Sequence, residues 1–120
     1  MEIRNADVVP LVRTRVPEAQ GDLARISPEL GPCKVMALLS ELTHRFADHH
    51  DFIAVKHCFV AADELLADGS HQIRNAVCAN YVYSLASLLD RHDESAEVLI
   101  HLMPLQLRSE YIRQISNSLP

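Results

Sequence analysis

The spacing of apolar residues divides the chain into helices. From Pro32 onward, Val35, Leu38, Leu39, Leu42 and Phe46 recur at steps of three and four around one adjacent pair, which marks a single buried helical stripe. Pro32 stands at the first helical position, where its fixed φ and missing N–H do no harm. The polar run ADHHD closes this segment, and Asp51 is placed to cap the next. There Phe52, Val55, Phe59, Ala62 and Leu66 repeat the pattern as far as Gly69, a glycine expected just past the helix end. Ser70 caps a third long helix, along which Ile73, Val77, Tyr81, Leu85 and Leu88 fall every four or three residues.

Shorter elements flank these three. Asp7 is expected to cap a helix over VVPLVRTR, with Pro10 tolerated in its first turn and Val16-Pro17 as its stop. EAQGDLARIS is amphipathic enough for a short second helix despite Gly21, and SPELGP is a connector. Asp93 or Ser95 is expected to cap a helix over SAEVLIHLM. Pro104 interrupts it, and LQLRSEYIRQI makes the last helix. No stretch alternates as a strand does. The pattern predicts one all-α domain over residues 1–120, a compact bundle of about six or seven helices. A second architecture is a stack of HEAT-like helical hairpins. His50-Asp51 and His92-Asp93 recur in connectors at a spacing within the roughly 40–47 residue period of such units, and IRNAV after a turn resembles their inner-helix opening.

Composition narrows the partners. With 48% apolar and 22% charged residues, the chain is globular rather than disordered, and the scarcity of aromatics suits aliphatic helix-on-helix packing. A formal net charge of −5 without a Lys/Arg cluster argues against nucleic acid and favours encounter with a basic protein. No apolar run is long enough for a membrane span. Cys33, Cys58 and Cys78 lie far apart with no C-x-x-C pair, which fits a reducing cytoplasm.

Candidate chemistry is sparse. Seven histidines invite a metal test. Glu41 and His44 have the Glu-x-x-His spacing of di-iron bundles, but a second such pair is missing, because Glu97 and His101 are four apart. His49-His50-Asp51 sits at a helix end, where the macrodipole alone favours histidine. His71 and Cys78 share a helical face yet lie about 10 Å apart along the axis, too far for a nucleophile and its base. The three glycines form no phosphate cradle, so neither a metal nor another cofactor is expected. The polar residues singled out are Arg74 and Asn75 at the third helix's opening, and Arg108, Glu110 and Tyr111 in the last helix. The first pair either locks the preceding connector or meets a partner. The second group carries the residue types enriched at interface hot spots, although a tyrosine on a helical stripe is also a core residue.

The stretch ADGSHQIRNAVCANYVYSLASLL, followed by LMPLQLRSEYIRQI, resembles a small all-helical bacterial domain of unknown function. In that family a turn precedes Arg-Asn-Ala, here Arg74, Asn75 and Ala76. A late Pro-x-x-Leu-Arg-x-Glu-Tyr/Trp opens the last helix, here Pro104, Leu107, Arg108, Glu110 and Tyr111. The resemblance covers roughly residues 50–115. Some members are suspected immunity proteins of toxin systems, and no catalytic residues carry over. It implies a non-enzymatic interaction module, such as an immunity protein that binds and masks a basic toxin. The alternatives are a structural homodimer or subunit of a larger complex and, from the histidines, a metal-binding protein.

Overall fold

The computed structural model describes residues 2–27 and 30–118, the last two of these by backbone only. Pro28 and Glu29 of the SPELGP connector lie outside the described residues.

Helix α3 (Pro32–Asp48) buries Val35, Met36, Leu39, Leu42, Thr43, Phe46 and Ala47, with Leu38 half-buried at the stripe's edge. Helix α4 (Phe52–Asp68) folds back on it through a three-residue turn. The N–H of Asp51 reaches the carbonyl of Phe46 at 2.9 Å and that of His50 reaches Ala47 at 3.0 Å, a Schellman closure that places His50 at φ 56°. Asp51 Oδ1 then accepts from the N–H of Ala54 at 3.2 Å, the cap expected of it. Along α4 the buried positions run in adjacent pairs, Ala54-Val55, Cys58-Phe59, Ala61-Ala62 and Leu65-Leu66. So broad a stripe needs neighbours on several sides, and α4 is the helix around which the others assemble.

Gly69 follows α4 with an ordinary φ of −72°, so the left-handed stop expected there is not what the residue provides. Its role is close approach. A Cβ at this position would lie 2.3 Å from the Leu65 carbonyl oxygen and 2.7 Å from Ile73 Cγ2. Ser70 Oγ accepts from the N–H of Ile73 at 3.3 Å and opens a continuous helical rod. The rod comprises α5 (His71–Ala76), a π-helical stretch (Val77–Val82) and α6 (Tyr83–Arg91). It packs its Ile73, Val77, Tyr81, Leu85 and Leu88 stripe inward, all of it buried. In the core the Thr43 hydroxyl donates to the Leu39 carbonyl at 2.8 Å, so the Tyr81 hydroxyl, 2.8 Å away, donates to Thr43 and joins the rod to α3.

Helix α1 (Val8–Arg15) seats Val8, Val9 and Val12 against the core, and Val16 follows them. Asp7 precedes α1, but its carboxylate accepts from the N–H of Arg4 at 3.1 Å instead of capping the helix. A 3₁₀ turn (Pro17–Ala19) leads into the short α2 (Gln20–Leu23). Ahead of α1, Ile3 pairs with the α4–α5 turn: its N–H reaches the Asp68 carbonyl at 2.7 Å, and its carbonyl receives the Ser70 N–H at 3.1 Å.

A 3₁₀ turn (Asp93–Ser95) precedes α7 (Ala96–Leu102), and neither Asp93 nor Ser95 makes the expected side-chain cap. Helix α8 (Leu105–Ser118) follows Pro104. Both sides of this last turn are held by α4. Lys56 Nζ donates to the Leu102 carbonyl at 2.9 Å, and Asp63 Oδ1 accepts from the Leu107 N–H at 3.0 Å. Counting the rod once, the described residues form seven helices and no β-strand. The shortest dimension, 20 Å, is two helix diameters.

Candidate functional site

The five polar residues singled out in the sequence occupy three separate places. Arg74 and Asn75 are exposed on α5, and Arg74 borders a shallow polar depression with Glu2, Asp68 and His71. Among the described residues neither side chain hydrogen-bonds the connector. That turn is locked by the Ser70 cap, the fit of Gly69, the Ile3 pairing and an Asn5–Gln72 side-chain bond of 3.1 Å. Arg108 faces α7, where its Nη2 donates to the carbonyls of Ile100 at 3.2 Å and His101 at 3.3 Å, closing that helix's C-terminus. Glu110 and Tyr111 turn toward the rod.

Around Glu110 the contacts explain two shifted groups. Arg113 binds the carboxylate and, against partial burial, holds its pKa below the usual range, with help from Gln114 and the Cys78 thiol. Burial pushes the Cys78 thiol up to about 11, and the neighbouring carboxylate adds to the rise. Cys58, within the core, is pushed up to about 12 by burial. Neither thiol is an activated nucleophile. Cys33 is exposed at the start of α3.

The π-helical stretch links this cluster to α6. A widened turn disturbs the regular pairing of its carbonyls, and side chains step in. Asn80 Nδ2 donates to the Ala76 carbonyl at 3.0 Å, Ser84 Oγ to that of Tyr81 at 2.7 Å, and Gln114 Nε2 of α8 to that of Cys78 at 3.0 Å. Beside this staple, α6 and α8 diverge into a groove of about 420 Å³. One wall carries Val82, Tyr83, Ala86, Ser87 and Asp90, and the other Tyr111, Gln114 and Ile115. Tyr83 is 77% exposed, whereas Tyr111 is nearly covered, at 8%. Burial raises the Tyr111 phenol above its ordinary pKa, and the charge of Asp90 raises it further. Ile112 adds a half-exposed apolar side chain next to Tyr111 on α8.

The histidines serve elsewhere. Asp48 at the end of α3 accepts both 3.1 Å contacts of Arg91 Nη2 and a 3.0 Å contact from His92 Nε2, tying α3 to the end of α6. His44 stands beside this pair, its Nδ1 3.5 Å from Arg91 Nη1, while Glu41 is exposed. Among the described residues no three His, Cys, Asp or Glu side chains converge in a way that could hold a metal ion. No described helix is long and apolar enough to cross a membrane.

A family model described as a domain of unknown function matches residues 9–117. The chain belongs to that family, DUF7674. The DUF7674 match runs from the first turn of α1 into the last turn of α8. It therefore takes in the N-terminal segment that the sequence resemblance did not reach, as well as both walls of the groove. Neither a curated protein nor a solved structure matches the chain.

Sequence reasoning found Glu110 and Tyr111 but missed Tyr83, Asp90 and Gln114. One signal was present: in CANYVYS two tyrosines stand two positions apart, so a helix that buries one must turn the other aside.

Proposed function

We propose that the protein is a non-enzymatic interaction module that docks a basic protein partner on its α6–α8 face. The resemblance to small bacterial domains supports a finer reading, a cytoplasmic immunity protein that masks a cognate toxin. The observation that carries the proposal is Tyr83. A large aromatic side chain 77% exposed at the lip of a groove with apolar walls is poorly placed for stability and well placed as a contact anchor. The net charge of −5 would steer a basic partner toward the molecule and speed encounter at low salt.

Co-expression with the product of the adjacent gene tests this reading. A stable complex that dissociates at high salt, together with rescue of growth from that product's toxicity, is expected. Absence of both a complex and rescue overturns it.

A second reading is a structural homodimer or subunit of a larger complex. It draws on Leu105 and Ile112, 74% and 49% exposed and seven positions apart on one side of α8. Light scattering at two concentrations decides, because a monomer at both removes the homodimer.

A further inference from the structure

We propose that the α6–α8 groove recognises an arginine side chain of the partner flanked by an apolar residue, with Asp90 as the cation's counter-charge and the Tyr83 ring as the platform for the apolar neighbour. This rests on the docking role proposed above and names the chemistry of the occupant. Of the eight residues that line the groove, Asp90 alone is charged, and among the described residues it forms no ion pair. The nearby Glu110 is already engaged by Arg113 and Gln114, so Asp90 is the carboxylate left for a partner. The other lining groups are aliphatic, phenolic or neutral polar. One of the polar ones, Gln114, already uses its amide on the Cys78 carbonyl.

An isolated carboxylate among apolar walls and tyrosine rings suits a cation on an apolar stem. Guanidinium fits better than ammonium, because its planar fork can meet a carboxylate with two parallel hydrogen bonds. Tyr83 and Asp90 lie two helical turns apart, about 10 Å, so a side chain held at Asp90 leaves room for a neighbouring apolar residue at Tyr83. A second copy of this chain fits less well. A two-fold contact between two such grooves would offer Asp90 no cation, because the only charged residue lining the copy's groove is again a carboxylate, and it would join two chains each of charge −5.

Titrating the ¹⁵N-labelled full chain with hexylguanidinium, and separately with hexanol, reads the chemistry directly. The expected result is saturable amide shifts centred on Val82–Asp90 and Tyr111–Ile115 for hexylguanidinium, weakened roughly 3–5-fold by Asp90→Asn, as suits an exposed charge pair. Tyr83→Ala should weaken the same shifts. Equal binding of hexanol, shifts scattered over other acidic residues, or indifference to Asp90→Asn would overturn the proposal. So would a concentration-dependent dimer that Tyr83→Arg dissolves. The adjacent gene product separates the two levels. A complex that survives both Asp90→Asn and Tyr83→Ala sinks the groove chemistry and leaves the docking role standing. Groove-centred guanidinium shifts without any such complex sink that partner and leave the chemistry.

Discussion

Burial disfavours a proton on His44, and the Arg91 guanidinium beside it disfavours one further; together they outweigh the opposing pull of Asp48. His44 therefore stays neutral in the folded protein to lower pH than in the unfolded chain, where an ordinary histidine titrates near 6.5. Below that value the unfolded state takes up a proton that the folded state resists, so stability falls with pH across this window. Asp48 acts lower down. Burial raises its carboxyl, but Arg91 and His92 outweigh this and hold it below the ordinary value, so the stability it adds is lost only as pH falls through that depressed pKa. Replacing His44→Gln should flatten the decline of the urea midpoint between about pH 7 and pH 5 without touching the steeper loss below it. An unchanged slope would show that His44 does not carry the dependence.

Among the elements, the long helices were legible because each repeats its apolar period over four or five turns. The π-helical stretch was not read from the sequence, although the spacing there carries a trace of it. Ile73, Val77, Tyr81, Leu85 and Leu89 are spaced by four throughout, and all five are buried. At about 100° per residue, each step of four overshoots a full turn by roughly 40°, and over four steps the stripe would wander far around a regular helix. A locally widened turn cancels that drift. The contacts that hold the α7–α8 turn could not be read, because their partners are distant in sequence. Asp63 lies within α4, yet its carboxylate accepts from the N–H of Leu107 and caps α8. Asp63→Ala should cost about 1 kcal/mol in chemical denaturation and speed amide exchange in the first turn of α8, whereas Asp63→Asn, which still offers an oxygen, should cost less. Equal loss in both variants would mean that the charge, not the cap, matters.

For the molecule as a whole, cohesion and recognition use different forces. Its core is largely apolar, from Val8 and Val12 through Leu39, Phe59, Leu65 and Leu88 to Leu107. The ion pairs Arg15–Glu64, Arg45–Asp22 and Arg91–Asp48 lie on the exposed surface, where solvent and salt screen them and each adds little to stability. Raising salt from about 0.1 M to 1 M shortens the screening length from roughly 10 Å to 3 Å. The thermal midpoint should therefore move little, while association with a basic partner should weaken by an order of magnitude or more. A parallel drop in both would place the surface pairs among the main supports of the fold.

The pairing of Ile3 with Asp68 and Ser70 also dictates how the protein is best handled. Any sequence fused ahead of Glu2 leaves the molecule from the α4–α5 turn, near Arg74, because residue 3 is pinned there by two backbone bonds. A fusion after α8 instead departs from the helix that carries Ile115, one wall of the groove. An affinity handle or fluorophore at the front leaves the Tyr83 face open to a visitor. The same handle at the back stands in the doorway.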